Sequence, residues 1–291
     1  MSSNTKQPLV SVIMNCYNGE RYLREAIDSV YAQTYQNWEI IFWDNASTDG
    51  SADIAKSYDK KLRYFRSEET TVLGQARVCA SKEVKGYYMA FLDVDDIWIE
   101  DKIEKQVTLF LDNTSKIGFI YGRSEVFYND NSNDSFVIKK NEKLLSGDVF
   151  AELAKENFIV FSSVMVDTKK FNECGGFPKH FLNSTDFYVF LKMAQSYECR
   201  ALQGVCCKYR IHDKNLSAKQ RSIGSHEVIQ TLKGLLPDDR VAKGIKYQYA
   251  NLAVIYMREK KVLKSISIII KHNIAMILIA RLIKKTKRIL S

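Results

Sequence analysis

The chain has 291 residues, with 43 Lys and Arg against 34 Asp and Glu, a net charge of +9, 46% hydrophobic residues and three prolines. That suits one large domain, or one with a smaller appendage, and excludes a disordered chain, a collagen and a disulfide-stapled miniprotein. The charge is local: from Arg258 to Ser291 ten basic residues face one acid, Glu259, and the preceding residues balance to zero. A basic nucleic-acid groove across the body is therefore not expected. The polar start, Met1 to Pro8, does not read as a signal peptide, so cytoplasmic residence is expected. The six cysteines show no CxxC spacing and read as reduced, buried thiols. No run approaches the roughly 18 apolar residues of a membrane span.

In chain order, Leu9 to Met14, Ile40 to Trp43 and Tyr87 to Leu92 are short apolar runs bounded by polar turns, and read as buried strands. Between the first two, Glu20 to Gln33 carries Leu23, Ile27, Val30 and Tyr31 at helical spacing. Ser47 to Ser51 offers capping chemistry ahead of a helix over Ala52 to Tyr58. A strand at Leu62 to Phe65 and a helix at Gly74 to Lys85 continue the alternation. Such alternation predicts a mostly parallel α/β sheet with helices on both faces. Asn15, Asp44 and Asp93 each follow an apolar strand, at the carboxyl edge where open α/β sheets bind ligands.

Beyond Ile117 the alternation breaks. Gly118 to Tyr121 and Val126 to Tyr128 read as strands, Asn129 to Lys143 as a polar loop, and Phe158 to Val166 as another apolar run. Ser184 to Ser196 reads as helix, Cys206 to Ile211 as strand, and everything after about Ser222 as helices. The expected division is an α/β domain over 8–220 and a helical extension over 221–291.

No two of the thirteen glycines are two residues apart, which excludes GxGxxG, and none has Walker A spacing before a Lys. Asp93-Val94-Asp95-Asp96 offers a different route to phosphate, because clustered carboxylates after a strand suit Mg²⁺ or Mn²⁺, which bridge diphosphate oxygens. The plainer alternative is a solvated acidic turn with Asp95 or Asp96 capping a helix at Ile97.

Four blocks in order settle the context: Val10 to Leu23, Ser29 to Tyr35, Trp43 to Ser51 and Phe91 to Trp98. Together they resemble the family 2 glycosyltransferases of the GT-A fold, a Rossmann-like architecture for nucleotide-diphospho-sugars, over residues 8 to 215. The resemblance implies that Tyr17 and Asp44 hold nucleobase and ribose, with Arg77 and Asp93 also on the nucleotide. It implies that Asp95 is the direct metal ligand of a DxD pair, with His212 a metal or diphosphate contact in the block Tyr209-Arg210-Ile211-His212 with Asn215 and Ser217. Trp98 matches an aromatic position below the sugar site, though a core Trp reads equally well. Gly175-Gly176-Phe177 followed by Thr185-Asp186-Phe187 resembles the segment ending in the catalytic base, Asp186, which could also serve as a helix cap. His180, His226 and His272 read as ordinary structural residues.

The family more often has Glu where this chain has Thr185, at the acceptor side, Pro where it has Asn15, and Asn where it has Val78. Sugar transfer from a nucleoside diphosphate, here most simply UDP, needs a base for the acceptor hydroxyl and a cation for the departing diphosphate. One base without a carboxylate nucleophile implies inversion, with a glycan or lipid-linked oligosaccharide as acceptor. A sugar-phosphate nucleotidylyltransferase and a non-catalytic membrane-associated binding module are the competing readings. Finally, Val262 to Ile283 puts Ile266, Ile269, Ile270, Ile274, Ile277 and Leu278 on one helical face among lysines. That predicts either an amphipathic helix on the anionic inner face of the cell membrane or a helix packed on the protein with a solvated basic edge.

Overall fold

The computed structural model describes residues 7–112, 116–128, 134–213, 215 and 220–280. By contact density the chain forms two units: residues 1–149, 159–181 and 192–213, and residues 150–158, 182–191 and 214–291. The break near Asp213 lies close to the expected boundary at 220. Two earlier segments nevertheless group with the C-terminal helices, because helices that pack together need not be contiguous in sequence.

The first unit is built on one sheet. Strands β1 (Val10–Cys16), β2 (Trp38–Asp44), β3 (Leu62–Arg66) and β4 (Tyr88–Phe91) are parallel and alternate with helices α1 (Glu20–Tyr31), α2 (Ser51–Lys56) and α3 (Leu73–Lys82). The expected alternation holds here. The apolar runs are buried on both faces, as parallel strands covered by helices must be. Helix α1 buries Leu23, Ala26, Ile27 and Val30 on one stripe.

The remaining strands are β5 (Ile97–Trp98), β6 (Ile117–Tyr128), β7 (Ser135–Val137), β8 (Met165–Asp167) and β9 (Glu198–Ile211). They complete the order β3-β2-β1-β4-β8-β6-β9-β5, with β7 paired to β6. Only β6 and β9 are parallel in this half; β8, β5 and β7 pair antiparallel, so the sheet is mixed. The two strands expected at Gly118 and Val126 are one continuous strand, β6, bent by bulges against β9 near Gly122 and Arg123. Helix α4 (Lys102–Leu111) follows β5, and α6 (Thr168–Glu173) follows β8.

The second unit is helical. It comprises α5 (Phe150–Lys155), the start of α7 (Thr185–Ser196), and α8 (Arg221–Lys233), α9 (Asp239–Arg258) and α10 (Val262–His272). Helix α9 is its spine. Gln248 Nε2 donates to the carbonyls of Ala154 and Lys155 at 3.1 and 3.0 Å, satisfying the last turn of α5. Asp238 caps α9 by accepting from the Arg240 N–H. Ile229, Leu252 and Tyr256 form one core cluster, and Ala250, Ala253 and Ile274 another.

The tail differs from a single amphipathic helix. Helix α10 ends at Asn273, which takes the left-handed conformation at φ 49°. Ile269, Ile274, Ile277 and Leu278 turn inward against Ala250 and Ala253, whereas Leu263 (83% exposed), Ile266 and Ile270 (75% exposed) form a separate outward stripe. The predicted apolar face is thus divided between core and surface. The basic residues Arg281, Lys284, Lys285, Lys287 and Arg288 lie outside the described residues. Among the described residues no helix is long and apolar enough to cross a membrane.

Candidate active site

The carboxyl ends of β1, β2 and β4 form the site edge. The turn after β1 is locked to the turn after β2: the N–H groups of Asn18 and Gly19 donate to Ser47 Oγ and Ser51 Oγ, and that of Thr48 to Asn18 Oδ1. Glu20 N–H donates to Asp49, and Gly50 N–H to Glu20, so α1 and α2 cap each other's first turns. Asn18 takes φ 53°, which throws Tyr17 outward, 55% exposed.

Asp44 ends β2 fully buried. Its Oδ1 accepts from the Ser47 N–H at 2.7 Å, and its Oδ2 from Tyr64 Oη at 2.6 Å and from Arg66 at 2.5 Å. Arg66 was not identified from sequence. The register was the available signal, because parallel pairing sets Arg66 directly across from Asp44. Burial and the neighbouring Asp44 charge push the Tyr64 phenol upward.

Arg77 on α3 is buried, with its guanidinium 3.8 Å above the Phe161 ring and 3.3 Å from Asp93 Oδ1. Gly74 permits this, since a Cβ there would lie 2.1 Å from the Pro178 carbonyl; its N–H instead bonds the Phe181 carbonyl. The Gly175-Gly176-Phe177 block therefore packs beside α3, with Phe177 in edge-to-face contact with Phe91, Phe161 and Phe171.

The acidic segment is a turn tied to β9. Asp95 Oδ2 lies 2.9 Å from His212 Nε2. Tyr22 packs on the His212 ring at 5.1 Å, and Arg210 lies over the other neighbourhood of Tyr22 at 4.4 Å while pairing with Glu25. Arg210 Nε also donates to the Asp95 carbonyl at 2.9 Å. Asp96 is buried and knits the parts: Oδ1 accepts from the Arg210 N–H, Oδ2 from Ser162 Oγ, and Ser162 Oγ in turn accepts from the Asp93 N–H. Burial, with the Asp95 and Asp93 charges adding, pushes the Asp96 carboxyl well above the usual carboxylate range. The helix-cap alternative for Asp95 and Asp96 does not hold, because Ile97 begins a strand and α4 starts only at Lys102.

Trp98 is a core residue: it is 3% exposed, with Nε1 donating to the Ser162 carbonyl and the Lys102 ammonium 4.0 Å from its ring. Of its two readings, the core one describes its contacts. Lys102 is fully buried and bonds Gln106, and burial lowers it from 10.5 to about 8. Thr185 and Asp186 belong to the helical unit, in the first turn of α7, with Thr185 fully buried and Asp186 half-buried. Asn215 is buried in the same unit, and Ser217 lies outside the described residues. A cavity of about 820 Å³ lined by Leu9, Tyr87, Asp167 and Lys169 opens at the opposite, amino end of β1 and β4 and contains none of these groups.

The residues at the carboxyl edge fit a divalent cation of the kind that shares its shell with a diphosphate. Asp95 and His212 supply adjacent O and N donors, and hard cations use one or two such protein groups plus phosphate oxygens. Among the described residues no cluster of three or more His, Cys, Asp or Glu could close around a metal alone. Asn15 Nδ2 and Tyr22 Oη are enclosed polar atoms with no partner among the described residues, as expected where a polar ligand completes the bonding.

The sequence pattern of glycosyl transferase family 2 matches residues 11–175. The chain belongs to that family. It is therefore a glycosyltransferase, and the competing non-catalytic and nucleotidylyltransferase readings fall away. Its relatives include the UDP-Glc:α-D-GlcNAc-diphosphoundecaprenol β-1,3-glucosyltransferase WfgD of Escherichia coli, 32% identical over 73% of this chain and 81% of that one. They also include the putative teichuronic acid biosynthesis glycosyltransferase TuaG of Bacillus subtilis, 34% identical over 56% and 64%. Among solved structures, the mannosyltransferase PcManGT of Pyrobaculum calidifontis in complex with GDP-Man and Mn²⁺ gives a TM-score of 0.64 at 18% identity, over 99% of this chain and 82% of that one. TarS of S. aureus in complex with UDP-GlcNAc gives 0.63 at 15%, over 88% and 72%. At these identities the structural likeness is one of fold.

Proposed function

We propose that this glycosyltransferase moves a sugar, with inversion, from a nucleoside-diphosphate sugar to a hydroxyl of a glycan or lipid-linked oligosaccharide. The observation that carries the donor half is the pairing of Asp95 with His212 at the carboxyl edge, beside the Arg77–Asp93 ion pair. Tyr17, outward and exposed, stacks on the base. Asp44 accepts from a base or ribose donor, which would take over the bond that Arg66 makes to its Oδ2. Asp95 and His212 would hold Mn²⁺ or Mg²⁺, which when bound neutralises charge on the departing diphosphate. UDP is the favoured carrier because WfgD, by its name, uses UDP-Glc.

Asp186 takes the proton of the acceptor hydroxyl. The acceptor oxygen forms its bond to the anomeric carbon from the face opposite the diphosphate, and the pair of the breaking carbon–oxygen bond leaves on the diphosphate. A lipid-linked acceptor suits the outward stripe of Leu263, Ile266 and Ile270, which is flanked by exposed Lys260, Lys261, Lys264 and Lys271. Apolar contact with basic flanks is the pattern of a protein resting on an anionic membrane surface.

Thermal unfolding across UDP-, GDP- and dTDP-sugars, each with and without Mn²⁺, tests the donor half. A UDP-sugar should raise Tm, and more so with Mn²⁺. No rise with any of them would overturn the proposal.

A further inference from the structure

We infer that Glu227 is a positioning residue for sugar transfer, holding the loop from which the base Asp186 is presented. This rests on the assignment of Asp186 above. Glu227 lies on α8, in the stretch that sequence assigns to a helical extension outside the catalytic domain. Its side chain is buried, at 8% exposure. Its carboxylate accepts from three successive backbone N–H groups: Leu182 to Oε1 at 2.5 Å, Asn183 to Oε2 at 3.1 Å and Ser184 to Oε2 at 2.8 Å. The next two residues are Thr185 and Asp186.

Three features make this a clamp on the base. The bonds are charge-assisted and fall on consecutive peptide units, so they fix the path of the chain as it enters α7. The loop leads directly into the helix: the Thr185 N–H donates to the Asn183 carbonyl, and the Tyr188 N–H to the Ser184 carbonyl. One turn before Glu227, on the same face of α8, Gly224 lets the loop close in. A Cβ there would stand 2.6 Å from Asn183 Oδ1 and 2.7 Å from Ser184 Oγ. Buried carboxylates are costly unless satisfied, and here the satisfying donors are this loop's own backbone. A base displaced by about 1 Å can lose roughly 100-fold in rate, so a loop this close to Asp186 bears on turnover even though Glu227 touches no reacting atom.

The test compares Glu227→Gln with Asp186→Asn in the full chain, using a UDP-sugar hydrolysis or transfer assay, calorimetric titration of the UDP-sugar, and hydrogen exchange. The carboxamide turns an N–H₂ toward three N–H donors, so the loop loses at least one bond. We expect kcat to fall at least tenfold with donor affinity within twofold of wild type, and faster exchange confined to peptides covering 182–184. Should Glu227→Gln fail to fold, Gly224→Ala, which intrudes on the same loop, supplies the same three readouts with a smaller fall in kcat. If Asp186→Asn is inactive while the loop variant keeps kcat within twofold, the role of Glu227 is overturned and that of Asp186 stands. If donor affinity falls in proportion to kcat, Glu227 is merely structural, and the inference is overturned. If Asp186→Asn keeps its turnover, the base assignment fails and the inference falls with it.

Discussion

The two units of this glycosyltransferase hold their candidate site residues by different means. In the sheet unit, the candidate site residues stand at or just after the ends of buried strands, and side chains both near and far in sequence hold them: Ser47 and Arg66 on Asp44, Arg77 on Asp93, Ser162 on Asp96. In the helical unit, the segment bearing Asp186 is short, and its anchor, Glu227, comes more than forty residues later. Strand ends place the first set, whereas the segment bearing Asp186 is fixed through its backbone by a carboxylate on a later helix.

The largest test of that difference on the sheet side is Asp95→Asn. It should lower turnover by about 100-fold or more and abolish the Mn²⁺ contribution to donor-induced stabilisation if, as proposed, the Asp95 carboxylate charge holds the metal. Full activity with retained Mn²⁺ response would break the sheet half of the account.

Lys102 beneath Trp98 gives the next effect, on stability. With its pKa depressed to about 8 from 10.5, the folded protein binds fewer protons than the unfolded chain between those values, so this group's contribution to stability rises with pH across the window and its penalty is complete below it. The shift corresponds to about 3 kcal/mol. Urea unfolding of wild type and Lys102→Met from pH 7.5 to 10 should show the gap closing as pH rises, and a constant gap would refute it.

Arg77→Lys keeps the charge and loses the stacked guanidinium over Phe161, so nucleotide affinity should weaken by about tenfold. Unchanged affinity by calorimetry would place Arg77 outside the donor site. The smallest effect belongs to the tail: Leu263→Ser with Ile270→Ser should lower co-sedimentation with anionic vesicles several-fold without changing turnover on a soluble acceptor. Equal partition would separate the outward stripe from the membrane.

The same contrast governs what was legible in the sequence. The parallel strands, and the place of Asp44, Asp93 and Asp95 at or after strand ends, could be read because apolar runs and the residues after them are local signals. The antiparallel half could not, since β8 and β5 are two or three residues long and gain their partners from distant chain. Arg66 escaped because its role depends on parallel register, and Trp98 proved to be core because its indole N–H is spent on Ser162. The apolar stripe of the tail was visible, but its division between core and surface depends on the α9 residues that receive Ile269 and Ile274. Glu227 carried no sequence signal, since three backbone donors leave no trace in side-chain spacing.

The central claim of the proposed mechanism is that Asp186 acts as the base in transfer from a nucleotide sugar. It is tested most directly by Asp186→Asn, assayed for UDP-sugar binding by calorimetry and for turnover in the same preparation. Donor affinity within about twofold of wild type with turnover lower by about 1000-fold is the predicted result. Retained turnover, or loss of donor binding in proportion to turnover, would contradict it.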